Sequence, residues 1–118
     1  MKTMHEGLQL FSIGATQAQI TEAYAPVNLA VFDGFAVRLG KFQGEFERWH
    51  AHDHEDETFI VLEGAITFQT EIGDFHLTPG QGITIPKGLQ HCPRANETGP
   101  MPLALILEKV ETKRLGDG

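Results

Sequence analysis

From Val27 onward, glycine or proline interrupts the chain every 8 to 12 positions, and the segments between them are short and rich in β-branched and aromatic residues. That pattern reads as strands over 28–32, 35–42, 45–51, 57–63, 65–71, 74–77, 82–85, 90–95 and 102–110. Asp33-Gly34 and Gly73-Asp74 read as hairpin turns, where glycine tolerates positive φ. The only helical stretch is Thr16 to Tyr24, with a Thr-x-x-Gln capping pattern and Pro26 as a stop. Many short antiparallel strands in so small a chain imply a sandwich or barrel. The expected fold class is therefore all-β with at most one short N-terminal helix.

At 118 residues the chain has the length of one domain, which buries roughly two-thirds of its unfolded surface. It has no internal repeat, so one unit is expected over 1–118, with loose ends at about 1–6 and 111–118. A net charge of -7, with nine Lys and Arg scattered along the chain, leaves no basic footprint for phosphate backbones, so nucleic acid is not expected as a partner. Apolar stretches such as Leu103 to Leu107 fall far short of the ~20 residues of a membrane span, and the polar start lacks a signal-peptide core. The expectation is a soluble, cytoplasmic protein without membrane contact. Its single cysteine, Cys92, cannot form an internal disulfide, in keeping with a reducing compartment.

The chemistry concentrates in His50-Ala-His52-Asp-His54-Glu-Asp56, which leads into Glu57 and is answered by His91. Residues two apart on a strand face one side, so His50 and His52 can point at one ion while Ala51 faces away. His54 lies in a polar turn. Glu57 opens the next strand, and if that strand pairs with the first, its carboxylate can swing toward the imidazoles; Phe59 and Val61 then point the same way and line a cavity. Glu55 and Asp56 are its rivals for the carboxylate role. His91 follows Pro86-Lys-Gly88-Leu-Gln, a turn able to return a strand to the site. The glycines Gly44, Gly64, Gly80 and Gly88 sit where strands begin, end or bend.

The spacing Gly44-x5-His50-x-His52-x4-Glu57-x6-Gly64 resembles the first sequence motif of the cupin superfamily, and Gly80-x5-Pro86-x-Gly88-x2-His91 resembles the second. One position departs: where the family often has Asn there is Ala95, with Asn96 one place later. The motif core, 44–96, looks most like the small single-domain cupins described as similar to mannose-6-phosphate isomerase. The resemblance implies a double-stranded β-helix, or jelly-roll barrel. It carries the metal-ligand roles onto His50, His52, Glu57 and His91, and implies one divalent transition metal ion: Fe, Mn, Ni, Cu or Zn all suit imidazole and carboxylate ligands. A homodimer is expected because an open jelly roll exposes strand edges and the family commonly dimerises.

Outside the cage, His5 and His76 read as structural or surface residues, and Cys92 as a small buried side chain facing away from His91. Trp49 and Phe46 read as core or dimer-contact residues, and Phe59, Phe68 and Ile85 as pocket wall or core. Arg38 reads either as a solvent-facing residue on the row Ala36, Arg38 and Gly40 or as a clamp for a substrate anion. No serine lies beside a motif histidine and there is no nucleotide-binding glycine motif, so a Ser-His hydrolase and a nucleotide cofactor are not expected. Two functions fit: a metalloenzyme of isomerase, lyase or dioxygenase type acting on a small polar molecule, and a non-catalytic ligand-binding or sensing module with a structural metal.

Overall fold

The computed structural model describes residues 6–117, so His5 and most of the expected N-terminal loose end lie outside the described residues. Its elements are α1 (Ile13–Gln17), β1 (Val27–Phe32), β2 (Phe35–Lys41), β3 (Glu57–Glu63), β4 (Ile66–Thr70), β5 (Gly73–Leu77), β6 (Gly82–Ile85), β7 (His91–Arg94) and β8 (Leu103–Lys109). Strands in the order β1-β2-β8-β3-β6 form one antiparallel sheet, and β5-β4-β7 form the other. The all-β jelly-roll expectation therefore holds. No helix among the described residues is long and apolar enough to cross a membrane.

Alternation along the strands builds the barrel. On β3, Glu57, Phe59 and Val61 are buried while Thr58, Ile60 and Leu62 are partly exposed. Phe59 and Val61 join Phe68 from β4, Ile85 from β6 and Ile106 from β8 in the main core, and each such side chain contributes roughly 1.5–3 kcal/mol by leaving water. A smaller cluster of Ile20, Leu29, Leu39 and Leu103 has Ile13 of α1 packed against it.

The helix begins before the expected Thr16. Ser12 is its cap, accepting a hydrogen bond from the Ala15 amide at 3.1 Å. After Gln17 the chain breaks into tight turns that drop Ile20 into the smaller cluster. Tyr24 then takes a left-handed φ of 59°, and Ala25 precedes a proline, a position that disfavours helix.

Both central residues of the Asp33-Gly34 hairpin have positive φ, 50° and 79°, as the twist of a two-residue hairpin requires. The second expected turn lies two residues earlier than Gly73-Asp74. Gly73 already pairs with Thr70, so Glu71 and Ile72 make the turn, held by the Thr70 hydroxyl.

The expected strand 45–51 does not form. This segment touches β7 at only two bridges, Glu45 with Arg94 and His50 with His91. Between them the partner residue on β7 is Pro93, which accepts from the Phe46 amide but has no N–H to give back, so the ladder cannot close. Residues 111–117 also differ from a loose end, because Thr112 is buried and Gly116 and Asp117 pack on residues 50–53.

Candidate metal centre

β3 brings Glu57 to the site as its first residue, and β7 brings His91 as its first residue. His50 and His91 exchange backbone hydrogen bonds of 3.0 and 2.9 Å, and the His52 carbonyl accepts from Gly88 at 2.8 Å. The two motifs are thus stitched together through main chain. Glu57 reaches the imidazoles by another route than a hairpin with 45–51: β3 pairs with β6 and β8, which places Glu57 opposite Ile85.

Ligand-type atoms of His50, His52, Glu57 and His91 all lie within 4.8 Å of one another, and all four residues are buried. These residues could hold a metal ion. Oε1 of Glu57 stands 3.3 Å from His52 Nε2 and 3.4 Å from His91 Nε2, close enough for charge attraction but without hydrogen-bond alignment; all three atoms are buried and unpartnered. On the far side of its ring, His91 Nδ1 lies 2.9 Å from the Leu89 carbonyl, and His50 Nδ1 lies 3.3 Å from the Arg48 carbonyl. A carbonyl can only accept, so each Nδ1 carries the hydrogen and each Nε2 keeps its lone pair for a ligand role.

The electrostatics favour a proton-free His50 and an ionised Glu57. Burial, aided by the neighbouring His91, lowers His50 to about 4. Burial works against ionised Glu57, but the adjacent His52 and His91 outweigh it and hold the carboxyl below the ordinary range. Burial also works against protonated His52, yet its attraction to the adjacent Glu57 carboxylate raises it.

Behind Glu57 stands a second carboxyl. β8 runs antiparallel to β3 with Thr58 opposite Leu107, so the next inward residues, Glu57 and Glu108, are cross-strand neighbours. Burial and the Glu57 carboxylate push Glu108 up to about 9. Arg38 holds it from β2 by an ion pair, and also donates to Asn28 Oδ1 and the Val110 carbonyl. The row Ala36, Arg38 and Gly40 is buried or partly buried, contrary to the solvent-facing reading, and the Arg38 guanidinium is committed to Glu108 while lining the outer groove.

The remaining sequence candidates sort cleanly. His54 is exposed, Asp56 accepts from the Lys87 amide, and neither belongs to the cage; nor does Glu55, which is buried beside His52. His76 is exposed and bonded to Thr67. Cys92 is buried with its sulfur against the Phe46 carbonyl, and burial pushes the thiol up to about 11, too high for a nucleophile. Phe46 is buried in the site, whereas Trp49 is half exposed. Asn96 bonds the Pro100 carbonyl at 3.0 Å and shapes the turn beside Gly44, so the displaced asparagine leaves the cage intact.

A cavity of about 60 Å³ borders His50, Glu57 and His91 and is walled by Phe42, Phe46, Phe59, Ile106, Tyr24 and Arg114. A larger outer groove shares Tyr24 and Arg114 but touches no residue of the cage. The guanidinium of Arg114 lies 5.5 Å above the Phe46 ring and pairs with Glu47 at 2.9 Å. Sequence reasoning missed Tyr24, Glu108 and Arg114 as site residues. Tyr24 and Arg114 stand outside both motifs, and only the inward register of β8, read against β3, could have flagged Glu108.

The family described as Cupin domain matches residues 41–107. An uncharacterized protein of Bacillus subtilis, YdbB, is 33% identical over 78 residues, which is 65% of this chain and 68% of that protein. The crystal structure of a cupin-2 domain containing protein from Shewanella frigidimarina superposes with a TM-score of 0.78 at 29% identity, covering 85% of this chain and 94% of the other. A sugar phosphate isomerase of the cupin superfamily from Silicibacter pomeroyi is similar in fold, with a TM-score of 0.62 at 23% identity, over 74% of this chain and 59% of that one.

Proposed function

The chain belongs to the cupin family, and from that premise we propose that it is a small-molecule metalloenzyme with a divalent transition metal ion held by His50, His52, Glu57 and His91. One observation carries the reading: His52 Nε2, Glu57 Oε1 and His91 Nε2 converge while buried and unpartnered. Each such atom costs about 1–3 kcal/mol when left unsatisfied, and a single ion satisfies all three. When bound, the ion supplies a Lewis acid for a substrate oxygen or, if iron, manganese or copper, a redox centre.

The chain's own residues set what reaches that ion. Phe42, Phe59 and Ile106 keep the cavity apolar, and its volume fits a molecule of only a few heavy atoms. Tyr24 donates to the Gly44 carbonyl at 2.6 Å, and burial raises its pKa, so it stays protonated. Lys41 is committed to the Ile20 carbonyl at 2.8 Å. Among the described residues lining the cavity, the only carboxylate is Glu57, so no general base stands apart from the cage. This supports dioxygenase chemistry, in which a redox ion draws the electrons, over an isomerisation or lyase reaction, each of which needs a separate base. We also propose a homodimer, since Phe32 and Phe35 are half exposed at the hairpin of edge strand β1.

The test is turnover by protein stripped with a chelator and reconstituted with each candidate metal, against a panel of small hydroxy acids and thiols. Activity restored by one metal and abolished in His50→Ala, with the fold intact by circular dichroism, is the expected result. Turnover that survives His50→Ala contradicts the reading.

A further inference from the structure

The three cage histidines differ on the side away from the cage. His50 and His91 place Nδ1 against a backbone carbonyl, but His52 Nδ1 has no hydrogen-bond partner although the residue is only 3% exposed. Its Nε2 faces Glu57, which leaves Nδ1 for whatever lies on the other side. Two carboxylates besides Glu57 stand near the ring. A ligand-type atom from each of His52, Glu55 and Asp117 lies within 4.8 Å of the others. Glu55 comes from the same turn as His52, whereas Asp117 comes from the far end of the described chain.

Asp117 is placed by a built contact. Its amide donates to the Ala51 carbonyl at 3.0 Å, and its Oδ2 accepts from the Asp53 amide at 2.7 Å. Gly116 makes this approach possible. Its φ is +83°, and a Cβ there would lie 2.6 Å from the Ala51 carbonyl oxygen and 2.8 Å from the His50 Cβ, so any side chain would push the tail off the ligand segment. The second carboxylate oxygen, Oδ1, lies 3.9 Å from the exposed Lys113 ammonium.

We propose that Asp117 is a positioning residue of the metal centre. Its Oδ1 accepts the Nδ1–H of His52, fixes Nε2 as the ligating atom, and makes the C-terminal segment a strap that completes the site. The proposal rests on the metal reading of the four-residue cage. A carboxylate behind a ligating histidine orients the ring and raises its basicity, and loss of such a partner typically lowers metal affinity 10–100-fold. Coupling is reciprocal, so metal binding also tightens the strap. The strap carries Arg114 as well, so its docking sets one wall of the cavity.

The experiment compares full-length wild type, Asp117→Ala, Asp117→Asn and Glu55→Ala. It reads zinc affinity by chelator competition, and the His52 ring ¹⁵N shifts in the metal-free protein. Asp117→Ala is expected to lose zinc affinity at least tenfold, and to lose the Nδ1–H tautomer preference of His52. Asp117→Asn, whose side-chain oxygen can still accept, recovers most of the affinity. Zinc affinity unchanged in Asp117→Ala, or lost only in Glu55→Ala, overturns the proposal. A wild-type protein that takes no zinc fails the metal reading itself, whereas a His52 tautomer indifferent to Asp117→Ala fails the role of Asp117 alone.

Discussion

Glu108, clasped by Arg38 and set beside Glu57, ties the stability of the metal-free protein to pH. Its pKa rises from 4.5 to about 9 on folding, so the stability it contributes is complete below about pH 4.5 and is lost as pH rises through about 9. His52, also raised, adds to the alkaline loss. His50 has the opposite sign: lowered from 6.5 to about 4, it contributes stability that is present above pH 6.5 and lost as pH falls through about 4. The two trends oppose each other between pH 4.5 and 6.5. Thermal melts of chelator-treated protein should therefore be flattest in that window and fall toward pH 9, and Glu108→Gln should shrink the alkaline fall. A wild-type melting temperature that holds steady from pH 6.5 to 9 contradicts this. Arg38→Met removes the hydrogen-bond partner of a buried carboxyl that already holds its proton at pH 7, so the expected cost is about 1–3 kcal/mol by urea titration. A loss under about 1 kcal/mol would show that the pair does not hold that corner.

Strands were legible where local pattern and burial agree, as on β3, where every second residue is buried. The segment 45–51 misled because its composition suits a strand while the residue it must pair with, Pro93, has no N–H to give. The tail misled for a different reason: Gly116 and Asp117 acquire their roles only once Ala51 stands next to them, a contact that no local pattern encodes. That His50, His52, Glu57 and His91 come together was legible because spacing marks chemically distinctive residues, whereas the carboxyl behind them depends on cross-strand register. The motif glycine Gly64 gives a test at this scale. Its φ is +73°, and an added Cβ would lie 3.0 Å from the Pro102 side chain, so Gly64→Ala meets both left-handed strain and a close contact. Gly34, at φ +79° with nothing within 4 Å, meets strain alone. The account expects about 1–2 kcal/mol lost in Gly34→Ala and more in Gly64→Ala; equal losses contradict it.

As a whole molecule, the protein is a two-sheet barrel whose core stabilises the fold and whose one polar corner gathers three imidazoles and two carboxyls. A homodimer covering the β1–β2 hairpin should appear by light scattering and dissociate in a Phe32→Asp, Phe35→Asp double variant; a wild-type monomer contradicts it. An ion that binds only the folded state should raise the melting temperature with metal concentration. Elemental analysis of untagged protein, in wild type and in a His50→Ala, His91→Ala double variant, decides whether the buried corner is a metal cage. Near-stoichiometric iron, manganese, nickel, copper or zinc in wild type, lost in the variant, is the predicted result. Metal absent from wild type even after reconstitution, or retained in the variant, would contradict it.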